Sequence, residues 1–468
     1  HIVIKAGTGS LTLNNATGTT SNFSGRLGVS AGTLNIGTAN LTHTINNTVG
    51  TSNGVWLSGG TLNINGTTGA TLSKVLVMNA TNSILQANQT GGALLIATNI
   101  SGNTGSSAKT LVLGGTSTQV NEVQQYIVNE QLLTNVLKIG DGTWQIRTPT
   151  AANNGTLTGS LAVNAIGTTA SSEVSGFTTT AGIVPGMTVS GTGITFGTTV
   201  EAVLSSTRIR LSKSATSTGT SLTLGTVNGS SLASITVASN AANVLTVTST
   251  SNMVPGQPIS GPGMATGGWY VSAIVSATTF SVANTTGAAT LATNAAAGAQ
   301  TLATSANFGG NLQIASGLVN VLPTAGSSNV LNDSMGLNFV ADTITGNGSA
   351  GGQFQYTGFS SGISETVGIL TPGAGTGKIT LVPGTSGNTL LTFGSLGTRA
   401  EIAAELDERG GVPGDAPDLV AGLLKRGGSV DADHAAFDSR EVFERGEARN
   451  HPGVGRTGHR ADDDRVEE

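Results

Sequence analysis

The chain has 468 residues, of which 69 are Gly, 45 are charged and none is Cys. Charged residues at 10% and aromatics at 4% argue against an ordinary mixed α/β enzyme, because helix formers such as Glu and Lys are scarce. Disorder would need high charge, which the 37% of hydrophobic residues do not accompany, and zero Cys excludes a disulfide scaffold, a zinc–thiolate site and a thiol nucleophile. The length predicts roughly two to four domains.

Charge is unevenly placed. From Arg399 onward lie 17 of the 25 acids and 10 of the 20 Lys and Arg. The first 398 residues hold 8 acids and 10 bases, a net of +2. So neutral a body gives no electrostatic basis for nucleic acid or an anionic membrane as partner. No apolar run reaches the roughly 18 residues of a membrane helix. The chain opens on His1 without a signal-like stretch, which reads as a piece of a longer protein.

Residues 1 to about 165 repeat one theme, a short alternating strand followed by Gly, Asn, Thr and Ser. Gly9-Ser10-Leu11-Thr12-Leu13, Gly32-Thr33-Leu34-Asn35-Ile36, Gly60-Thr61-Leu62-Asn63-Ile64 and Gly142-Thr143-Trp144-Gln145-Ile146 are examples. Leu and Ile point to one face and Thr and Asn to the other. Strands this short suit a solenoid, in which each coil lies on its neighbours over a narrow apolar column. Gly and Asn supply the left-handed corners. The spacing predicts Leu11, Leu34, Ile36, Leu62, Ile64, Leu111, Leu113 and Ile146 inside.

The segment Asn135-Val136-Leu137-Lys138-Ile139-Gly140-Asp141-Gly142-Thr143-Trp144-Gln145-Ile146 resembles the Lys-x-Gly-x-Gly-Thr-Trp unit of autotransporter-associated β-strand repeats. Asn154 to Asn164 takes the place of that family's following strand, without its Tyr. A second block resembles the same class: Gln353-Phe354-Gln355-Tyr356-Thr357-Gly358, Ser364-Glu365-Thr366-Val367-Gly368 and Leu390-Leu391-Thr392-Phe393. The resemblance covers about 1–165 and 305–398. It implies a right-handed parallel β-helix, secreted or displayed on a bacterial surface, without known enzymatic activity.

Between the blocks stand two copies of another unit. Val184-Pro185-Gly186-Met187-Thr188-Val189-Ser190-Gly191-Thr192-Gly193 is followed 70 residues on by Val254-Pro255-Gly256-Gln257-Pro258-Ile259-Ser260-Gly261-Pro262-Gly263. Tight turns flank a short strand in each, and alternating strands follow. The pattern predicts two related β modules inserted at one coil. After Ser395 the composition changes abruptly, and 401–409, 417–426 and 432–445 read as helical. That change fits a reading frame broken near 397–400; a solvated acidic tail is the alternative.

The domain expectation is therefore a solenoid over 1–169, inserted modules over 170–304, solenoid over 305–398 and a charged tail, disordered or weakly helical, over 399–468. The fold class is all-β.

Chemistry is sparse. The acids of the body are Glu122, Glu130, Asp141, Glu173, Glu201, Asp333, Asp342 and Glu365. A glycosidase needs two carboxylates at a defined separation, and a groove gathering two of Glu122, Glu130, Asp141, Asp333, Asp342 and Glu365 beside an exposed aromatic would signal one. His43 is the one body histidine besides His1, in an alternating strand; His434, His451 and His459 lack metal-ligand spacing. Gly140-Asp141-Gly142 lacks the rest of a calcium repeat. Trp56, Trp144, Trp269, Tyr126, Tyr270 and Tyr356 could stack sugars, though core packing is the better default. No catalytic, cofactor-binding or metal-binding residue is assigned, and no cofactor is expected. The reading is a non-enzymatic structural or adhesive segment of a large secreted or cell-surface bacterial protein. Its partners would be glycans or other copies of surface proteins, with no nucleic acid and no membrane insertion. A carbohydrate-active β-helix enzyme or tailspike-like depolymerase is the alternative.

Overall fold

The computed structural model describes residues 2–13, 26–37, 54–102, 107–129, 132–149, 159–162, 165–166, 171–218, 221–227, 232–251, 253–264, 268–285, 289–303, 307–323, 330–344, 351–359, 362–373, 377–384 and 389–397. His43, Glu130 and the whole tail from 398 fall outside these residues.

The described chain is all-β, and its frame is a solenoid of stacked parallel strands on three faces. The first face has five strands: Ile2–Lys5, Arg26–Val29, Val55–Leu57, Leu76–Met78 and Ile100–Gly102. The second face has ten, running from Ser10–Leu13 through Thr33–Gly37, Thr61–Asn65, Asn82–Ala87, Thr110–Gly114 and Asn135–Lys138. It continues without interruption through Leu312–Ile314, Leu337–Phe339, Ile363–Thr371 and Thr389–Leu396. The third face has seven: Ala70–Leu72, Leu94–Ile96, Val120–Val123, Thr143–Arg147, Leu318–Leu322, Gln353–Thr357 and Lys378–Val382. Asn135–Lys138 pairs directly with Leu312–Ile314, so the chain leaves the solenoid and returns to the next rung.

Period-two alternation places like residues over like. Leu34 stacks on Leu62 and Ile36 on Ile64, while Asn35 and Asn63 face outward. Leu34, Ile36, Leu62, Ile64, Leu111, Leu113 and Ile146 are fully buried in one continuous core. Each such side chain contributes about 1.5–3 kcal/mol on burial. Leu11 lies in register with Leu34 but is 39% exposed, contrary to expectation. Its strand is the last in the second sheet, so one side of its column has no described neighbour.

The excursion from the solenoid forms two antiparallel modules. Across the first sheet the strands run Gly159–Ala162, Ser221–Val227, Met187–Ser190, Thr198–Ser205, Arg208–Leu211, Glu173–Ser175 and Ala165–Ile166. The second is a closed barrel in the order Leu232–Ala241, Gly298–Leu302, Pro258–Ser260, Trp269–Ile274, Thr279–Asn284 and Val244–Val247. The two orders coincide once Gly159–Ala162 and Ala165–Ile166 are taken as two pieces of the strand that closes the barrel. The strands of the first module thus begin at Gly159.

Candidate functional site

The outward face of the third sheet carries a polar ladder. Glu122, Gln145, Asn320 and Gln355 stand in register on successive strands. Gln145 Nε2 donates to Glu122 Oε1 (2.8 Å), Asn320 Nδ2 to Gln145 Oε1 (2.8 Å) and Gln355 Nε2 to Asn320 Oδ1 (3.3 Å). Every amide donates in the same direction, toward the carboxylate of Glu122. Gln124 Nε2 (2.8 Å) and Arg147 Nη1 (3.3 Å) also donate to Glu122 Oε2. A second ladder lies on and beside the second sheet: Asn63 Nδ2 donates to Asn35 Oδ1 (2.8 Å) and Asn88 Nδ2 to Asn63 Oδ1 (2.7 Å). Strand stacking repeats these groups about every 4.8 Å. Gln145 is buried within the first row, while Asn320 and Gln355 are partly exposed and bring its amides to the surface.

The acids singled out above occupy separate settings. Asp141 is exposed in the turn after Asn135–Lys138, while Asp342 is buried and its Oδ1 accepts from the backbone N–H of Ile344 (3.0 Å). Both act on Lys138, whose burial pushes its ammonium down to about 7 while the two carboxylates oppose the shift. Glu365 points into the solenoid; its Oε2 accepts from the backbone N–H of Val330 (2.8 Å) and Leu331 (3.4 Å). Burial pushes Glu365 up to about 8, against those two donors and with Asp333 adding to the rise. Asp333 is itself raised by burial. Trp144 and Tyr356 are buried in the core, and Trp144 Nε1 donates to the carbonyl of Gly114 (3.0 Å). Trp269 belongs to the core of the second module. Among the described residues no group of three or more His, Asp or Glu is placed to hold a metal ion.

The densest chemistry is the seam where the first module lies on the first sheet. Trp56 faces outward from Val55–Leu57, yet is buried with Val75 and Val77 beneath Ala202 and Leu204 of the module. Arg26 stacks on its ring at 3.8 Å and Arg210 approaches it at 5.8 Å. Arg210 Nη2 is 2.8 Å from Glu173 Oε1, and its Nη1 is 3.9 Å from Glu201 Oε1. Arg208 also reaches Glu173, at 3.9 Å. Five of the eighteen charges ahead of Arg399 therefore meet at one seam. The meeting of Glu173 and Glu201 with these arginines was not legible in the sequence, because their partners stand on other strands and Trp56 lies more than a hundred residues away.

The Val-Pro-Gly turns make further contacts. Asn99 Nδ2 donates to the carbonyl of Pro185 (2.7 Å), Asn129 Nδ2 to that of Pro255 (3.0 Å) and Asn332 Nδ2 to that of Gly256 (2.8 Å). All three asparagines are buried. Gly186 is left-handed (φ 88°), and a Cβ there would come within 2.7 Å of Val128. The same turn thus docks each module on a solenoid asparagine. Repetition of Val-Pro-Gly was the signal available in the sequence.

Fold and surfaces together define a β-solenoid repeat protein carrying a docked tandem pair of antiparallel modules. No family model, no curated protein and no solved structure matches the chain.

Proposed function

We propose that this chain is a non-enzymatic structural or adhesive segment of a large secreted or cell-surface bacterial protein of the autotransporter-associated repeat type. The observation that carries the reading is the ladder from Glu122 to Gln355, a row of mutually hydrogen-bonded amides on a parallel sheet. Amide and hydroxyl rows complement the hydroxyls of glycans without requiring charge, and a stacked solenoid holds them at fixed spacing. Glycans, or neighbouring copies of surface proteins, are the partners this chemistry suits.

The test is retention of the whole chain on a panel of immobilised polysaccharides, with reducing ends measured in parallel. Retention without turnover, weakened by Gln145→Leu with Asn320→Leu, is the expected result. Absence of retention on every glycan would remove the adhesive reading. Release of reducing ends, lost in Glu122→Gln or Asp342→Asn, would assign a carbohydrate-active enzyme in its place.

A further inference from the structure

The two modules meet across a cleft of about 120 Å³ that needs both of them. One wall comes from residues between Thr188 and Thr199 of the first module; the other is Ser249, Thr250, Ser251, Met253, Val254 and Ala277 of the second. Phe196 fixes the geometry, because this first-module ring packs against the core of the second. Eight of the lining side chains carry a hydroxyl and none is charged. Four of these residues reach solvent, Ser190, Thr195, Ser249 and Ser251, while Thr188, Thr198, Thr199 and Thr250 are buried; Ser249 Oγ donates to Ser251 Oγ (2.9 Å). A hydroxyl that donates in this way keeps acceptor lone pairs for a ligand. Ile194 and Phe196 add apolar surface, and Met253, a buried residue of the second module's core, lies beneath them. The neighbouring cation, Lys213, is engaged by the carbonyl of Phe196 (2.7 Å) and lies over that residue's ring (5.1 Å).

These features select a ligand class. The lining itself carries no charge and offers a cation no counter-charge, and the Lys213 ammonium beside it is already engaged by the Phe196 carbonyl and ring. Mixed hydroxyl and apolar walls match a sugar ring, which presents hydroxyls at its edge and C–H groups on its faces. The volume is well below the roughly 300 Å³ at which drug-sized pockets begin, which suits one ring rather than a chain. The cleft also depends on the duplication. The counterpart of Ser190 to Gly197 is Ser260 to Gly267, and the sequence has no third copy of the full Val-Pro-Gly-x-x-apolar-Ser-Gly-x-Gly pattern to close a second cleft.

We propose that the inter-module cleft binds one neutral saccharide ring per chain, as the terminal unit of a glycan. This deepens the glycan-adhesion reading and rests on it. The chain has five methionines, and Met253 lines the cleft while Met78 and Met335 sit in the solenoid core. Methyl NMR of the Met-labelled full chain, titrated with neutral and acidic mono- and disaccharides, therefore reads the site directly. Neutral sugars are expected to move Met253 with single-site saturation and to leave Met78 and Met335 in place. Ala277 is exposed at the cleft, so Ala277→Trp fills the space without entering either core and should abolish the shift. Thr195→Val, which removes one hydroxyl, should weaken binding about tenfold. The proposal is overturned if no neutral sugar moves Met253, if the shift survives Ala277→Trp, or if acidic sugars bind equally well. Retention on glycan surfaces with Met253 unmoved removes the cleft and leaves adhesion standing; movement of Met253 without retention does the reverse.

Discussion

Gly317 lies over the ε-ammonium of Lys138. Lys138 points inward in the column between Leu113 and Ile314, and its Nζ donates to the carbonyls of Ile139 (2.8 Å), Gly140 (2.5 Å) and Ser316 (3.1 Å). The same device stands at the first described rung of the solenoid, under Gly32. There Lys5 Nζ donates to Ala6 (2.8 Å), Gly7 (2.7 Å) and Ala31 (3.0 Å). In both cases the lysine binds the next two carbonyls of its own turn and one from the following rung, just ahead of a left-handed glycine (φ 66° and 64°). The Lys-x-Gly-x-Gly pattern is therefore a corner in which one cation satisfies three carbonyls. It serves between the first and second sheets at Lys5 and between the second and third at Lys138.

Two glycine substitutions should separate backbone strain from crowding. Gly7 and Gly317 are both left-handed, but a Cβ on Gly7 meets nothing within 4 Å, whereas one on Gly317 would come within 2.6 Å of the carbonyl oxygen of Gly142. Gly7→Ala should cost about 1–2 kcal/mol, the price of the left-handed conformation alone. Gly317→Ala should cost clearly more. Equal shifts in urea midpoint for the two variants would contradict this account of the corner.

Glu365 should make stability depend on pH. Its pKa is raised by burial from the usual carboxylate value to about 8, so between about pH 4.5 and 8 the folded state holds a proton that the unfolded state has lost. The contribution is complete below about 4.5 and disappears as the pH rises through about 8. A loss on the order of a few kcal/mol is expected across that window. Glu365→Gln keeps an acceptor for Val330 N–H and cannot ionise, so its unfolding free energy should vary less with pH than that of the parent.

At the module seam, magnitudes predict opposite outcomes for two neighbours. Glu173 is partly exposed, and an ion pair screened by water is worth at most about 1 kcal/mol, so Glu173→Gln should be nearly silent. Arg210→Ala leaves the buried Glu201 without its nearest cation and should cost about 3–5 kcal/mol. Chemical denaturation of the two variants decides between these expectations.

Docking of the second module should depend on Asn129. Its Nδ2 donates to the carbonyls of Pro255 and Asn307, and its Oδ1 accepts from the backbone N–H of Thr134 and Gly309. Asn129→Ala leaves those buried groups short of partners at about 1–3 kcal/mol each. Hydrogen exchange should quicken around Pro255 and Gly309 while the strands Thr33–Gly37 and Thr61–Asn65 keep their protection. Uniform exchange across the chain would mean that this asparagine serves the fold as a whole.

Much of the frame was legible in the sequence, because a solenoid is a local code. Alternation within Thr33–Gly37 and Thr61–Asn65 already separates an inner Leu and Ile from an outer Asn, and the 70-residue repeat of Val-Pro-Gly marks two related modules. Stacking then brings like positions together without further instruction. What tertiary structure decided is every relation between elements far apart in the chain: that Arg26, Trp56 and Arg210 meet, and that Pro185 and Pro255 rest on Asn99 and Asn129. Lys138 shows the limit at a single residue. Strand parity turns it inward beside Leu113, and the three carbonyls gathered from two rungs, with Asp141 and Asp342 nearby, make that burial tolerable. Parity depends on neighbours in sequence, whereas partners for a buried charge depend on which rung the chain rejoins after its long excursion.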